Sequence, residues 1–169
     1  MSETEIPQTF IDLITNAITF EVGPETFDGN PDGSDSLKVP KLPSRGDPEA
    51  AGMDLYNPWS TPIVLRPGVP TLIKTGLRVD IPQGVYGRIA PRSGLAIKGI
   101  DVLAGVIDSS YLGEIGVVLI NLGRDDVDIK KHDRIAQFIL EKYLSLDPVE
   151  GKITRTSERG AGGFGSTGK

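Results

Sequence analysis

Residues 63–90, IVLRPGVPTLIKTGLRVDIPQGVYGRIA, decide the fold. Ile63-Val64-Leu65, Leu72-Ile73-Lys74 and Leu77-Arg78-Val79-Asp80-Ile81 are short apolar or alternating runs, closed by Pro67-Gly68, Gly76 and Pro82-Gln83-Gly84. Runs of that length between Gly and Pro read as strands joined by tight turns. Val85 to Ala90 continues the pattern. Residues 114–121 (EIGVVLIN) are mostly apolar, and Val127-Asp128-Ile129 alternates. Residues 133–143 (DRIAQFILEKY) also alternate, setting Ile135, Gln137 and Ile139 against Arg134, Ala136, Phe138 and Leu140, and their flanks favour a strand over a helix. Strands recurring every ~8–12 residues predict an all-β sandwich or barrel.

Composition points the same way. The 21 glycines and 13 prolines make up about a fifth of the 169 residues, double the usual ~12% and too much punctuation for a helical bundle. The length suits one domain with a tail. Eighteen Lys and Arg against 23 Asp and Glu leave a net charge of −5, which argues against general nucleic-acid binding but leaves room for a small anionic ligand. The absence of cysteine removes disulfides, thiolate metal sites and cysteine nucleophiles, and the single histidine, His132, argues against a His-rich metal centre. No apolar run approaches the ~18–20 residues of a membrane span. The start, Met1-Ser2-Glu3-Thr4-Glu5, lacks the basic character of a targeting peptide. A soluble, cytoplasmic protein with no membrane partner is the expectation.

Three segments follow from the pattern. Residues 1–35 read as an N-terminal extension. There Phe10, Leu13, Ile14, Ala17 and Ile18 fall at helical spacing, with Thr9 or Asp12 as cap, and residues 27–36 (FDGNPDGSDS) read as turn and loop. Residues 36–158 form the β core, and residues 159–169 (RGAGGFGSTGK) form an arm with five glycines.

Chemistry is concentrated in a few places. In the arm, closely spaced glycines let backbone N–H groups converge on an anion; Arg159 adds a bidentate fork, Ser166 and Thr167 add hydroxyls, and Phe164 adds a flat face for a base. A solvated tail is the bland alternative, and the interleaved side chains favour a phosphate clamp. Arg92 and Ser93 beside Gly94 make a second phosphate site or a strand-ending turn. Residues 105–116 (GVIDSSYLGEIG) read as a hairpin with Asp108 near the bend. Asp108 is a turn former or a general base for a water. Tyr111 is a core aromatic or a sugar-facing plate. Asp54, in AGMDLY, is a structural carboxylate or an oxygen ligand for Mg²⁺, directly or through water. Arg134 and Gln137 form a buried polar pair or part of the site.

Taken in order, AGMDLY, PRSGLA, GVIDSSYLGEIGVVLIN, DRIAQFIL and RGAGGFGSTG resemble the five motifs of the trimeric deoxyuridine triphosphate pyrophosphatases, the dUTPases. The resemblance runs from about Leu37 to Gly168. It implies a jelly-roll-like all-β subunit, a homotrimer with shared active sites, and Mg²⁺-assisted hydrolysis of dUTP to dUMP and pyrophosphate. By motif, it makes Asp108 the general base. Arg92, Ser93 and Gly94 hold phosphates, and Ser93 lies near the bridging oxygen. Tyr111 lies under the deoxyribose. The backbone of Gly105, Val106, Ile107, Asp108 and Gly116 pairs with the uracil edge, and Ser109 and Ser110 belong to the same substrate-binding turn. Gln137 bonds phosphate or water. Arg159, Gly165, Ser166 and Thr167 grip the outer phosphates, Phe164 stacks on the base, and Asp54 positions the metal's water shell. The acidic extension departs from the family core and is left with an unknown partner or none. Two rivals are a dCTP deaminase, disfavoured because Val118 stands where its catalytic Glu belongs, and a regulatory binding protein that keeps the scaffold.

Overall fold

The computed structural model describes residues 18–24, 26–29, 35–157 and 160. In chain order they form β1 (Thr19–Val22), β2 (Thr26–Gly29), β3 (Asp35–Lys38), β4 (Met53–Tyr56), β5 (Ile63–Leu65), β6 (Thr71–Lys74), β7 (Leu77–Asp80), β8 (Val85–Ala90), a single helical turn α1 (Ser93–Ala96), β9 (Ile100–Leu103), β10 (Val106–Ile107), β11 (Gly116–Asn121), β12 (Val127–Ile129) and β13 (Arg134–Lys142). The strands assemble as β10-β8-β13-β4, β6-β11-β9 and the pairs β1-β7, β12-β5 and β2-β3. All these pairings are antiparallel. They enclose one apolar core, the jelly-roll-like arrangement expected. Among the described residues no helix is long and apolar enough to cross a membrane.

Period-two patterning explains the strands. Ile63 and Leu65 point inward while Val64 faces out, and Leu77 and Val79 are buried between exposed Arg78 and Asp80. Each fully buried aliphatic side chain contributes about 1.5–3 kcal/mol, which is what holds strands this short in place. Two fully buried polar side chains are satisfied by the loops they brace. The Asn57 amide donates to the Ile129 and Lys130 carbonyls at 3.1 Å each. The Asn121 amide donates to Leu65 O at 2.9 Å and Asp125 O at 2.8 Å.

Strand β13 departs from the strict alternation expected of it. Arg134 pairs with Tyr56 and Ala136 with Leu55, so Ile135 is an extra residue, a β-bulge. Ile135, Ala136 and Phe138 are all buried, whereas Gln137 is not. The bulge exchanges the two faces at this point. Arg134 and Gln137, three apart, would lie on opposite faces of a regular strand; here both face Asp54 on β4, which Gln137 directly opposes.

The extension is also corrected in part. Residues 27–36 are not simply loop: β2 and β3 pair in register, Phe27 with Leu37 and Gly29 with Asp35. Gly- and Asp-rich flanks conceal this pairing, because backbone hydrogen bonding, not β-propensity, makes it. Thr19–Val22 continues the core as a strand on β7, and Phe20 packs edge-to-face on Phe138 at 5.6 Å. The helix expected around Phe10, Leu13, Ile14 and Ala17 lies outside the described residues. Beyond β13, residues 143–157 take no regular structure, and Leu144, Leu146, Val149 and Ile153 are each more than four-fifths exposed.

Candidate active site

Strands β9 and β11 pair from Ile100 with Asn121 to Leu103 with Val118, so residues 104–115 form the loop of a wide hairpin. This loop is less simple than the hairpin expected, because Val106 and Ile107 leave it to pair with Arg88 and Gly87 of β8. The departure begins with two residues of positive φ, Ala104 (60°) and Gly105 (112°). A Cβ on Gly105 would lie 2.5 Å from Ile89 O, and Gly105 O accepts the Ile89 N–H at 2.7 Å. Gly105→Ala is therefore expected to cost more than about 1 kcal/mol, since alanine meets both the strain and the clash. A melting temperature equal to that of the wild type would contradict this.

The loop and sheet line a half-open cavity of about 370 Å³, within the range of small-ligand sites. Gly105, Val106, Ile107, Asp108, Tyr111 and Gly116 line it. Leu72 and Lys74 on β6, Ile89 on β8, Leu103 on β9 and Val118 on β11 line it as well, brought in by sheet pairing, and Glu114 joins them from the loop itself; none of these was anticipated as a pocket residue. Asp108 and Tyr111 close a turn, with the Tyr111 N–H donating to Asp108 O at 3.0 Å. The Tyr111 hydroxyl donates to Glu114 O at 2.8 Å.

Two carboxylates line the cavity, and they differ in kind. Glu114 Oε1 accepts from Lys38 Nζ at 2.5 Å and from the Gly76 N–H at 2.6 Å. Asp108 is exposed, with no hydrogen bond or ion pair to its carboxylate among the described residues. Of the two carboxylates it is the one without a partner among the described residues. Val118 lines the wall as a side chain that cannot carry a proton. Across from the loop, a hydrogen bond from Tyr86 holds Glu141 below its usual range, and that bond raises Tyr86 in turn.

A second cluster gathers around Asp54. Its Oδ1 accepts from Arg92 Nε at 2.7 Å and its Oδ2 from Arg134 Nη1 at 3.3 Å. Gln137 stands beside it with its amide on Pro91 O at 3.0 Å. Gly52 makes room for Gln137, since a Cβ there would meet Gln137 Oε1 at 2.5 Å. Arg92 is extended backbone just ahead of α1, and Ser93 and Gly94 are exposed on that turn. Two guanidiniums around one carboxylate leave a net positive corner suited to phosphate. Among the described residues no three His, Cys, Asp or Glu side chains gather to hold a metal ion. Arg159, Phe164, Gly165, Ser166 and Thr167 lie outside the described residues.

The two clusters do not meet within one chain. Ile107 pairs with Gly87, so Asp108 lies beyond it toward Tyr86, while Arg92 follows the opposite end of β8. About six residues of extended chain separate them, roughly 20 Å at ~3.3 Å per residue.

The fold and site define an all-β protein with a small-ligand cavity, an unpaired carboxylate on its wall and a separate arginine corner suited to an anion. The comparisons name the family. The dUTPase family model matches residues 39–168. The deoxyuridine 5'-triphosphate nucleotidohydrolase of Rattus norvegicus is 51% identical over 129 residues, covering 75% of this chain and 62% of the rat protein. That of Kluyveromyces lactis is 47% identical over 144 residues, covering 80% of this chain and 96% of the yeast protein. The dUTPase of Staphylococcus bacteriophage 80alpha, solved with dUpNHpp, superposes with a TM-score of 0.76 at 25% identity, over 92% of this chain and all of the phage chain. The chain belongs to the dUTPase family.

Proposed function

We propose that this chain hydrolyses dUTP to dUMP and pyrophosphate, with Asp108 as general base, limiting uracil in DNA and supplying dUMP for thymidylate synthesis. The observation that carries the reading is the uncommitted Asp108 carboxylate on the wall of a nucleoside-sized cavity, in a chain of the dUTPase family. Asp108 takes one proton from a water. The water oxygen bonds the α-phosphorus, and the bond from that phosphorus to the bridging oxygen breaks. Pyrophosphate departs with the electron pair.

The other roles follow from the same arrangement. Tyr111, anchored through its hydroxyl, forms the floor under the deoxyribose and crowds a 2′-OH. The backbone of Gly105, Val106, Ile107 and Asp108, with Gly116 opposite, reads the uracil edge, while Ser109 and Ser110 complete the turn. Arg92, Ser93, Gly94 and Gln137 receive the phosphates, and Asp54 holds Arg92 in place through a charge-assisted bond. Arg159, Gly165, Ser166 and Thr167 grip the outer phosphates and Phe164 covers the base, roles that rest on the family motif. Both Asp54 oxygens already serve arginines, which fits Mg²⁺ held mainly by the triphosphate and reached by Asp54 through water. Bound there, Mg²⁺ supplies charge neutralisation across the phosphates.

The shared-site homotrimer belongs to the same proposal. General-base catalysis needs Asp108 within hydrogen-bond reach, about 3 Å, of its water, and one chain holds Asp108 and Arg92 roughly 20 Å apart. Another copy supplies the missing half. The exposed apolar row of Leu144, Leu146, Val149 and Ile153 is suited to lie across that neighbour.

Pyrophosphate release from dUTP, dCTP, dTTP and UTP, each with and without Mg²⁺, tests the reading. dUTP with Mg²⁺ is expected to be the one good substrate. Comparable rates with UTP, or none with dUTP, would refute it.

A further inference from the structure

Lys38 lies just ahead of residues 39–168, the part matched to the family, yet its ammonium is buried beside the cavity. Its side chain is 8% exposed, and Nζ stands 5.7 Å from the Trp59 ring centroid. Nζ donates to Glu114 Oε1 at 2.5 Å, and that same oxygen accepts the Gly76 N–H. Glu114 in turn lines the cavity, and its carbonyl carries the Tyr111 hydroxyl. One residue on, Ile115 O accepts from the Thr75 N–H at 3.0 Å and the Thr75 hydroxyl at 2.8 Å. The Glu114 side chain is thus where the loop bearing Asp108 and Tyr111 is tied both to the β6–β7 turn and to the chain preceding the family domain.

We infer that Lys38 is a positioning residue of the active site: by holding Glu114 it sets the loop that carries Asp108 and Tyr111. Without its ammonium, the partly buried Glu114 carboxylate loses its charged partner and turns toward water, which weakens its bond to Gly76. The wall then loosens at Glu114 and Tyr111, whereas Asp108 keeps the β10–β8 pairing directly before it, so binding suffers more than turnover. The same ion pair also explains how the strands before residue 39 bear on the pocket: β3 ends at Lys38, and β1 pairs with β7, which begins next to Gly76.

This inference rests on the dUTPase reading, and the test separates the two. Steady-state kinetics with dUTP and UTP, and amide hydrogen exchange over residues 108–116, are measured for the full-length wild type, Lys38→Met, Lys38→Arg and Glu114→Gln. Lys38→Met is expected to raise KM for dUTP about tenfold, with kcat within about threefold of the wild type, the signature of lost binding rather than lost transition-state contact. Exchange over 108–116 becomes faster, and UTP loses part of its disadvantage as Tyr111 shifts. Lys38→Arg restores the wild-type values, because a guanidinium reaches the same oxygen. If Lys38→Met does not fold, Glu114→Gln is judged on the same readings. Unchanged KM with unchanged exchange overturns the inference, as does a lowered melting temperature with KM untouched. A wild type inactive on dUTP overturns the function instead, and exchange in the variants still decides the role of Lys38.

Discussion

Asp108→Asn is expected to lower dUTP turnover by about a hundredfold or more, the scale that general-base catalysis supplies. The amide keeps the size and much of the hydrogen bonding of the carboxylate but cannot accept the proton of the attacking water. The loop geometry should survive, because the turn is closed by the backbone bond from Tyr111 to Asp108 O, which the substitution leaves alone. Binding should also survive. The substrate is a polyanion, and removing a negative charge from the pocket wall eases its approach, so KM is expected to stay level or fall while kcat collapses. Glu114, the other carboxylate on the wall, has its Oε1 committed to Lys38 and the Gly76 N–H. Pyrophosphate release gives kcat, and calorimetry with dUpNHpp gives binding. Turnover near the wild-type rate would remove Asp108 from the role.

The legible parts of this molecule are those where chemistry and sequence run together. Ile63–Leu65, Leu77–Asp80 and Val127–Ile129 are strands because alternation maps onto a half-buried pleat one residue at a time. Asp108 and Tyr111 share one loop, so a single motif reads both together, although their own neighbours left each with a structural alternative. Other features depend on pairing that no local pattern encodes. The bulge at Ile135 reads equally well in either phase, yet it alone puts Arg134 and Gln137 on the face of Asp54. The Asp54 carboxylate is singled out by its neighbours in sequence, but its two arginines come from after β8 and from β13. Leu72, Lys74 and Val118 reach the cavity only through the β6-β11-β9 register. Lys38 is the extreme case: it pairs with a residue 76 positions away.

The ~20 Å between Asp108 and Arg92 within one chain, estimated from strand rise, makes a sharper expectation for two inactive proteins. Arg92→Ala removes a phosphate contact, and Asp108→Asn removes the base, so each homotrimer should be close to dead. In mixed assemblies, a site that draws its Asp108 from an Arg92→Ala chain and its Arg92 from an Asp108→Asn chain is complete. For a threefold ring in which every site joins two neighbours, each mixed trimer has one complete site in three and each homotrimer none, so a random equal mixture makes about a quarter of all sites complete. Co-expressed with distinct tags, the two single variants should recover about a quarter of wild-type activity before selection and about a third once purified for both tags, where each parent alone shows almost none. The double variant Arg92→Ala/Asp108→Asn mixed with wild type gives the counterpart. There the complete sites join two wild-type chains, so the same quarter remains. A site built within one chain predicts otherwise: nothing from the two single variants together, and about half from the wild type with the double variant. The pair of mixtures therefore separates the two architectures without reference to mass, and a dead mixture of single variants beside a half-active second mixture would exclude the shared site.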